Sequence, residues 1–212
     1  NQSSKKFAIT LGANRAPIDA VRAIQNASSG RTGWAIAEYL FRFGHDVIVI
    51  AGKTSYAPNF VLPNVIRAGE PDAMLEACIE VAKGTPKPDG WIHSAAILDY
   101  YAPALDEKKP SGDVKWSIHL TPGPKHIAEL SKYVDGARRI GFKLETGVKI
   151  DELQARAELQ IQQYGVDATI ANLLEDINNP KSPRAYIVTN DGMRPLKSLQ
   201  ELCQAILGIL TN

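Results

Sequence analysis

The sequence predicts an α/β fold: a doubly wound, mostly parallel, Rossmann-like sheet with helices on both faces. Three observations predict it. Short apolar runs recur along the chain, segments with apolar residues at helical spacing separate them, and glycine or proline marks most of the changes. Strands joined through helices run parallel, and the crossovers cover both faces of the sheet. No repeat, linker or low-complexity stretch divides the chain, so residues 1–212 are expected to form one domain. A content of 44% hydrophobic and 22% charged residues excludes a disordered chain. The net charge of +1 argues against a nucleic-acid partner. No apolar run approaches the ~20 residues of a membrane span, so no membrane partner is expected.

The elements follow in order. Phe7 to Leu11 is an apolar run that stops at Gly12 and reads as a buried strand. Ser28-Ser29-Gly30 precedes a helical pattern carried by Ala37, Leu40 and Phe41, with Gly44 as its stop. His45 to Ala51 is a second buried strand and Asn64 to Arg67 a weak third. Pro71 opens a helix that runs to about Ala82. Trp91 to Ala96 is a fourth strand ending in small residues. A flap or strand excursion is expected near 97–120. Residues 97–113, with Pro103, Pro110 and Gly112, read as a loop. Val114 to Leu120 alternates, with Val114, Trp116, Ile118 and Leu120 on one side, as a half-exposed strand does. A helix follows Pro124, and Arg139 to Leu144 is another core strand. Leu153, Ala157, Ile161 and Tyr164 mark one helical face. Strands at Ala168–Asn172 and Ala185–Thr189 precede a final helix through Leu199, Leu202, Ile206 and Leu210.

Ligands of such sheets bind beyond the carboxyl ends of the strands, which directs attention to the segments after residues 11, 51, 96, 144 and 171. Gly12 lets backbone approach a ligand closely, or makes a plain turn. Ser28, Ser29, Gly30 and Gly33 open a helix. One hydroxyl would suffice for an N-cap, whereas the glycines suit a phosphate held on free N–H groups. After the fourth strand, Ala95 and Ala96 expose backbone and Asp99 follows, as a ligand or as a solvated loop acid. Phe142 offers a flat face for a nucleobase or packs as core, and Lys143 and Glu145 interrupt the same strand. Cys78 and Cys203 form no CxxC motif and read as buried thiols, in keeping with a reducing, cytoplasmic setting. The first residues hold no signal-peptide block. His45, His93, His119 and His126 show no metal-ligand spacing and read as structural. No metal ligands are assigned.

Taken together, the segments resemble the phosphopantothenate–cysteine ligase (phosphopantothenoylcysteine synthetase) family. The resemblance rests on Pro17-Ile18-Asp19, Val21-Arg22, Asn26, Ser28-Ser29-Gly30 with Gly33, Ala95-Ala96 with Asp99-Tyr100, Gly141-Phe142 with Glu145-Thr146, and Ala171-Asn172. They occur in family order and span residues 7 to about 175. It implies a ligase of coenzyme A biosynthesis. Such an enzyme uses ATP or CTP with Mg²⁺ to activate the carboxylate of phosphopantothenate, and cysteine then displaces the nucleotide. FMN is not expected, because no decarboxylase domain lies in these residues. A homodimer is implied, with the flap crossing its interface.

The same resemblance implies the site. Gly12, Ser28, Ser29, Gly30 and Gly33 would cradle the nucleotide phosphates. Phe142 and Asn172 would hold the base and ribose region, and Lys143 would also bind the nucleotide. Asn26, Ala95, Ala96 and Asp99 would meet phosphopantothenate and the acyl nucleotide. Arg22 and a flap lysine, Lys108 or Lys109, would join Asn26 in catalysis. Gly12-Ala13-Asn14 stands where the family has Gly-Gly-Thr. Glu107-Lys108-Lys109-Pro110-Ser111-Gly112 shortens the flap motif Lys-Ile-Lys-Lys-Ser-Gly. The Phe142 to Thr146 stretch is closer to the ATP-using branch, and Arg156 stands in a helix without the lysine pair of the CTP-using enzymes. Two rivals share the fold: an NAD(P)-dependent oxidoreductase and a nucleotide-binding relative without catalysis. The first lacks a complete glycine fingerprint and has Lys53, not an acid, after the second strand.

Overall fold

The computed structural model describes residues 3–212. The chain enters through β1 (Lys6–Leu11), a small antiparallel pair β2 (Arg15–Pro17) and β3 (Ala23–Gln25), and helix α1 (Arg31–Arg42). There follow β4 (Asp46–Ala51), β5 (Asn64–Arg67), α2 (Pro71–Lys83) and β6 (Gly90–His93). A two-residue ladder of β7 (Tyr100–Tyr101) and β8 (Thr121–Pro122) leads to α3 (His126–Leu130) and β9 (Arg138–Glu145). The chain ends with α4 (Ile150–Tyr164), β10 (Ala168–Leu173), β11 (Ala185–Thr189), β12 (Gly192–Leu196) and α5 (Leu199–Thr211).

Eight strands form one sheet in the order β12-β11-β10-β9-β6-β1-β4-β5. The five pairings from β10 to β5 are parallel, and β11 and β12 add an antiparallel edge. The chain winds outward from β1 through β4 to β5, then returns to build β6, β9 and β10 on the other side. The reversal lies between β1 and β6, where a crevice opens at the carboxyl rim.

Alternation divides the core. Phe7, Ile9 and Leu11 of β1 meet Trp34, Ile36 and Leu40 of α1 and Leu202, Ile206 and Leu210 of α5 on one face. Ala8, Ile50 and Trp91 meet Met74 and Cys78 of α2 on the other, where α4 packs Leu153, Ala157 and Ile161 against Ala171 and Val188. Full burial pushes the Cys78 thiol up to about 12, and Cys203 likewise, so both stay protonated and unreactive.

Two expectations change. Residues 114–120 form no strand. Val114, Trp116, Ile118 and Leu120 are 89%, 38%, 37% and 43% exposed. Alternation predicts an extended two-faced chain, but a strand also needs a neighbour to pair with, and among the described residues this segment has none. The expected strand over 91–96 stops at His93, and Ala96 rejoins the sheet edge through a single bridge to Ala13. The N-cap of α1 is Gly30, left-handed at φ 80°, while the Ser29 hydroxyl only accepts from the Arg31 amide at 3.3 Å. The β2–β3 pair and β12 were not expected. β12 carries Pro195, which the sheet tolerates because this is an edge strand.

Candidate active site at the carboxyl rim

Backbone hydrogen bonds stitch the loops beyond β1, β4 and β6 into one knot. Ala13 and Lys53 exchange two bonds of 2.9 Å. The Ala96 amide donates to Gly12 at 2.9 Å, and the Asn14 amide donates to Ala96 at 3.0 Å. The Asn26 amide donates to Asn14 at 3.2 Å, and Ser55 to Ser29 at 3.1 Å. Gly12 is left-handed at φ 83°, and a Cβ there would lie 2.7 Å from the Lys53 carbonyl. A Cβ on Gly30 would lie 2.6 Å from Thr54 Cγ2 and 3.5 Å from Gly12 Cα. Gly33 lets α1 seat on β1, since its Cβ would fall 2.3 Å from that of Leu11. These glycines are required by close packing around Thr54 and Leu11 as well as by any ligand. Ala13 needs no positive φ, because every residue of positive φ among those described is glycine.

Asn14, in the place of a hydroxyl residue, is a buried brace. Its Oδ1 accepts from the Leu98 amide at 3.0 Å and its amide points at Met74 Sδ at 3.5 Å. Asn26 is different. It is half-buried, yet its Oδ1 is shut away from solvent with no hydrogen-bond partner. A buried acceptor left empty costs about 1–3 kcal/mol, and a ligand N–H would recover it.

Asp19 is the polar residue that reading for chemistry missed, although it stands in the motif beside Arg22. It is 3% exposed and receives the Val21, Arg22 and Lys109 amides at 2.9, 2.8 and 3.0 Å, together with the Arg22 guanidinium. Burial pushes its carboxyl up, but the Lys109, Val21 and Arg22 donors outweigh it and hold the pKa down at about 2. Arg22 Nη1 also donates to the Lys109 carbonyl at 3.2 Å, and the Leu105 amide to Ile18 at 2.9 Å. The excursion is thereby tied to the β2–β3 segment. Arg22 and Lys109 both stand over the Trp116 ring, at 5.6 and 6.0 Å, so Lys109 rests on an aromatic face, and both it and Lys108 are exposed. An apolar cleft of about 240 Å³ lies between Pro17, Ile18, Ile24, Pro103, Leu105 and Trp116.

The far side of the crevice is built by β9 and β10. Phe142 pairs with Ile170, and Asn172 with Leu144, so these side chains share one face; Phe142 is half-buried against the α1–α5 core. Lys143 points to the opposite face and lies 3.5 Å from Glu145, which Arg156 of α4 also binds at 2.7 Å. One strand, β6, separates β9 from β1, a span of about 10 Å that a nucleotide can bridge. Ala95 is half-buried with its amide on Thr10 Oγ1 at 3.3 Å, and Asp99 is an exposed partner of Lys125 at 3.0 Å. Ser28 is half-buried at the mouth of α1.

Charge on this rim is lopsided. Arg15 of β2, Arg31 at the start of α1, Arg67 at the end of β5, and Lys53 and Arg184 on loops lie at this rim, and among the described residues none forms an ion pair with a carboxylate. Cations without counter-charges, glycine-lined backbone and an empty amide acceptor suit a polyanion that also carries an amide.

A family model described as the DNA/pantothenate metabolism flavoprotein C-terminal domain matches residues 2–212. The chain belongs to this family. It is 37% identical over 171 residues to the coenzyme A biosynthesis bifunctional protein CoaBC of Thermococcus kodakarensis, covering 81% of this chain and 42% of that protein. The chain thus spans under half the length of that relative. Among solved structures, the DNA/pantothenate metabolism flavoprotein from Streptococcus pneumoniae superposes with a TM-score of 0.85 at 25% identity over 97% of both chains. The C-terminal domain of a CoaBC protein superposes at 0.76 with 27% identity, over 96% of this chain and 92% of that one.

Proposed function

We propose that this chain joins 4′-phosphopantothenate to L-cysteine through an acyl-nucleotide intermediate, as the ligase of coenzyme A biosynthesis, working as one domain over residues 1–212. The observation that carries the proposal is the Asn26 amide, with its buried and unpartnered oxygen, set in the backbone knot that joins Gly12 and Ala96. Membership of the family supports it.

The chemistry asks little of side chains beyond placement. The phosphopantothenate carboxylate attacks the α-phosphorus of a nucleoside triphosphate; a P–O bond forms, the bond to the β-phosphate oxygen breaks and pyrophosphate leaves. The cysteine amine then attacks the acyl carbon, the C–O bond to the nucleotide breaks, and nucleoside monophosphate departs as a proton is released from nitrogen. Gly12, Ser28, Ser29, Gly30 and Gly33 would receive the triphosphate on backbone N–H groups at the positive end of α1. Phe142 and Asn172 would hold base and ribose. Ala95 and Ala96 would let phosphopantothenate approach the backbone beside Asp99. The Asn26 NH₂ would donate to an acyl or phosphoryl oxygen while its Oδ1 accepts the pantothenate amide. Arg22, fixed by Asp19, and the flap lysine Lys108 or Lys109 would offset charge as pyrophosphate forms.

Mg²⁺ belongs to this proposal as part of the nucleotide substrate. Among the described residues no three His, Cys, Asp or Glu side chains gather to hold a metal, and magnesium commonly reaches such sites on phosphate oxygens. The exposed stripe of Val114, Trp116, Ile118 and Leu120 supports a homodimer in which a second copy covers the excursion. No helix among the described residues is long and apolar enough to cross a membrane, and we place the reaction in the cytoplasm.

The test is pyrophosphate release with ATP and CTP in parallel, with and without phosphopantothenate and cysteine. The expected result is release that requires nucleotide, Mg²⁺ and phosphopantothenate, with amide product only when cysteine is added. No release with either nucleotide overturns the proposal.

A further inference from the structure

The loop after β10 reaches across the crevice. Arg184, at its end, donates from Nη2 to the Thr32 hydroxyl at 2.6 Å, joining positions 152 residues apart in sequence. Thr32 is in the first turn of α1, two residues past Gly30. Arg184 therefore ties the β10–β11 wall, which carries Asn172, to the end of α1 that would face the phosphates.

The guanidinium is poorly explained as a structural tie. It is half-buried, and burial together with the nearby Arg31 charge depresses its pKa. Neither Arg184 nor Arg31 forms an ion pair with a carboxylate among the described residues. Arg31 is occupied only by the Tyr56 ring, at 5.4 Å. A neutral glutamine in place of Arg184 could offer a threonine hydroxyl an amide without the penalty of two like charges. Of the five guanidinium N–H donors, one bond to Thr32 is all that protein atoms satisfy among the described residues, and the second Nη2 proton together with Nη1 or Nε leaves an edge of the guanidinium that can fork onto a phosphate. An anion between Arg31 and Arg184 would supply the missing counter-charge.

We infer that Arg184 is a nucleotide-binding residue, positioned by Thr32 to donate to the phosphates of the nucleoside triphosphate as they lie along the mouth of α1. This rests on the ligase proposal for its substrate, and it adds to the wall that carries Asn172 a cation that none of the motif residues supplies. The thermodynamic consequence is specific: loss of Arg184 weakens the nucleotide and leaves phosphopantothenate untouched.

The experiment uses the full chain and the variants Arg184→Gln, Arg184→Lys and Thr32→Val. Affinity for non-hydrolysable Mg²⁺–ATP and Mg²⁺–CTP analogues is measured by calorimetric titration, and KM for each substrate by pyrophosphate release. A charge-assisted bond to phosphate is worth about ten- to a hundredfold in affinity. Arg184→Gln is expected to raise nucleotide Kd and KM by that factor while the KM for phosphopantothenate changes less than about twofold. Arg184→Lys is expected to recover part of the loss, as a point charge without the fork. Thr32→Val is expected to cost less than Arg184→Gln, because the guanidinium remains. Wild-type nucleotide affinity in folded Arg184→Gln overturns the inference. So does equal damage from Thr32→Val and Arg184→Gln with no rescue by lysine, which would mean a structural tie. Wild-type protein that binds nucleotide but releases no pyrophosphate overturns the ligase proposal alone, and the titrations still decide the role of Arg184. Wild-type protein that binds neither analogue overturns both.

Discussion

At the scale of single residues, Asn26 concentrates the chemistry. Its backbone is committed to Asn14, but its Oδ1 is buried and empty, so the side chain is held ready for a donor that the protein does not supply. An aspartate has the same size and replaces the NH₂ donor with a negative oxygen. Beside an acyl phosphate that exchange removes one stabilising bond and adds repulsion. Asn26→Asp is therefore expected to lower kcat by about a hundredfold, the usual loss for one preorganised donor to a developing negative charge. Circular dichroism should remain that of the wild type, since no protein partner of the amide is lost. Wild-type kinetics in the folded variant would remove Asn26 from the mechanism. Neighbouring residues show how differently one loop uses its polar groups. Asn14 and Asp19 are satisfied within the protein and act by holding the 96–98 turn and the excursion, whereas Asn26 is left open.

At the scale of elements, α1 shows how helix ends serve the site. Gly30 and Gly44 bracket it, both left-handed, at φ 80° and 87°. An alanine at either should cost about 1–2 kcal/mol in backbone strain. Nothing lies within 4 Å of a Cβ on Gly44, whereas on Gly30 it would press on Thr54. Gly44→Ala is expected to lower Tm by about 2–6 °C with unchanged nucleotide KM. Gly30→Ala is expected to lower Tm further and to raise nucleotide KM, because Thr54 and the Gly12 loop must shift. Thermal melts and KM values on the two variants check this; equal effects would mean that the Gly30 contact is immaterial. Much of this architecture was legible beforehand. Val47 to Ile50 and Phe7 to Leu11 are buried on both faces, so unbroken apolar runs located them. The glycines announced a tight rim. What stayed hidden was pairing at a distance. Trp116 and Ile118 alternate as a strand would, and only the missing neighbour reveals otherwise. Arg184 finds Thr32 through the whole winding of the sheet, which no local pattern records.

At the scale of the whole molecule, stability against acid depends on histidines sealed between layers. Arg139 of β9 is 4% exposed and donates to His93 Nε2 at 3.2 Å, Ser131 Oγ at 3.1 Å and the Tyr164 and Ile127 carbonyls at 2.9 and 2.6 Å. A buried cation that asks His93 for a lone pair keeps that ring neutral, and burial followed by the Arg139 charge drives its pKa well below the ordinary value. His126, 5% exposed, has both ring nitrogens buried without partners, and burial brings its pKa to about 4 despite the Asp72 charge. His45 is depressed in the same direction by burial and by Lys5. In the unfolded chain each histidine takes a proton near pH 6.5, which the folded protein refuses. Folding therefore binds fewer protons than unfolding below that pH. The histidine contribution is complete above about 6.5 and is lost as pH falls below it; for His126, whose folded pKa is about 4, the loss runs down to that value at up to about 1.4 kcal/mol per pH unit. Asp19, held at about 2, has the opposite dependence on its charged form, and its contribution is lost only below about 4. The two windows separate by measurement. Urea midpoints between pH 7.5 and 4.5 are expected to fall with a slope that His126→Leu reduces by about one proton. The leucine is also expected to raise stability at pH 5, because it removes two unsatisfied nitrogens from an apolar site. An unchanged slope in His126→Leu would show that the ring is protonated in the fold, and that the layers around α3 admit a charge.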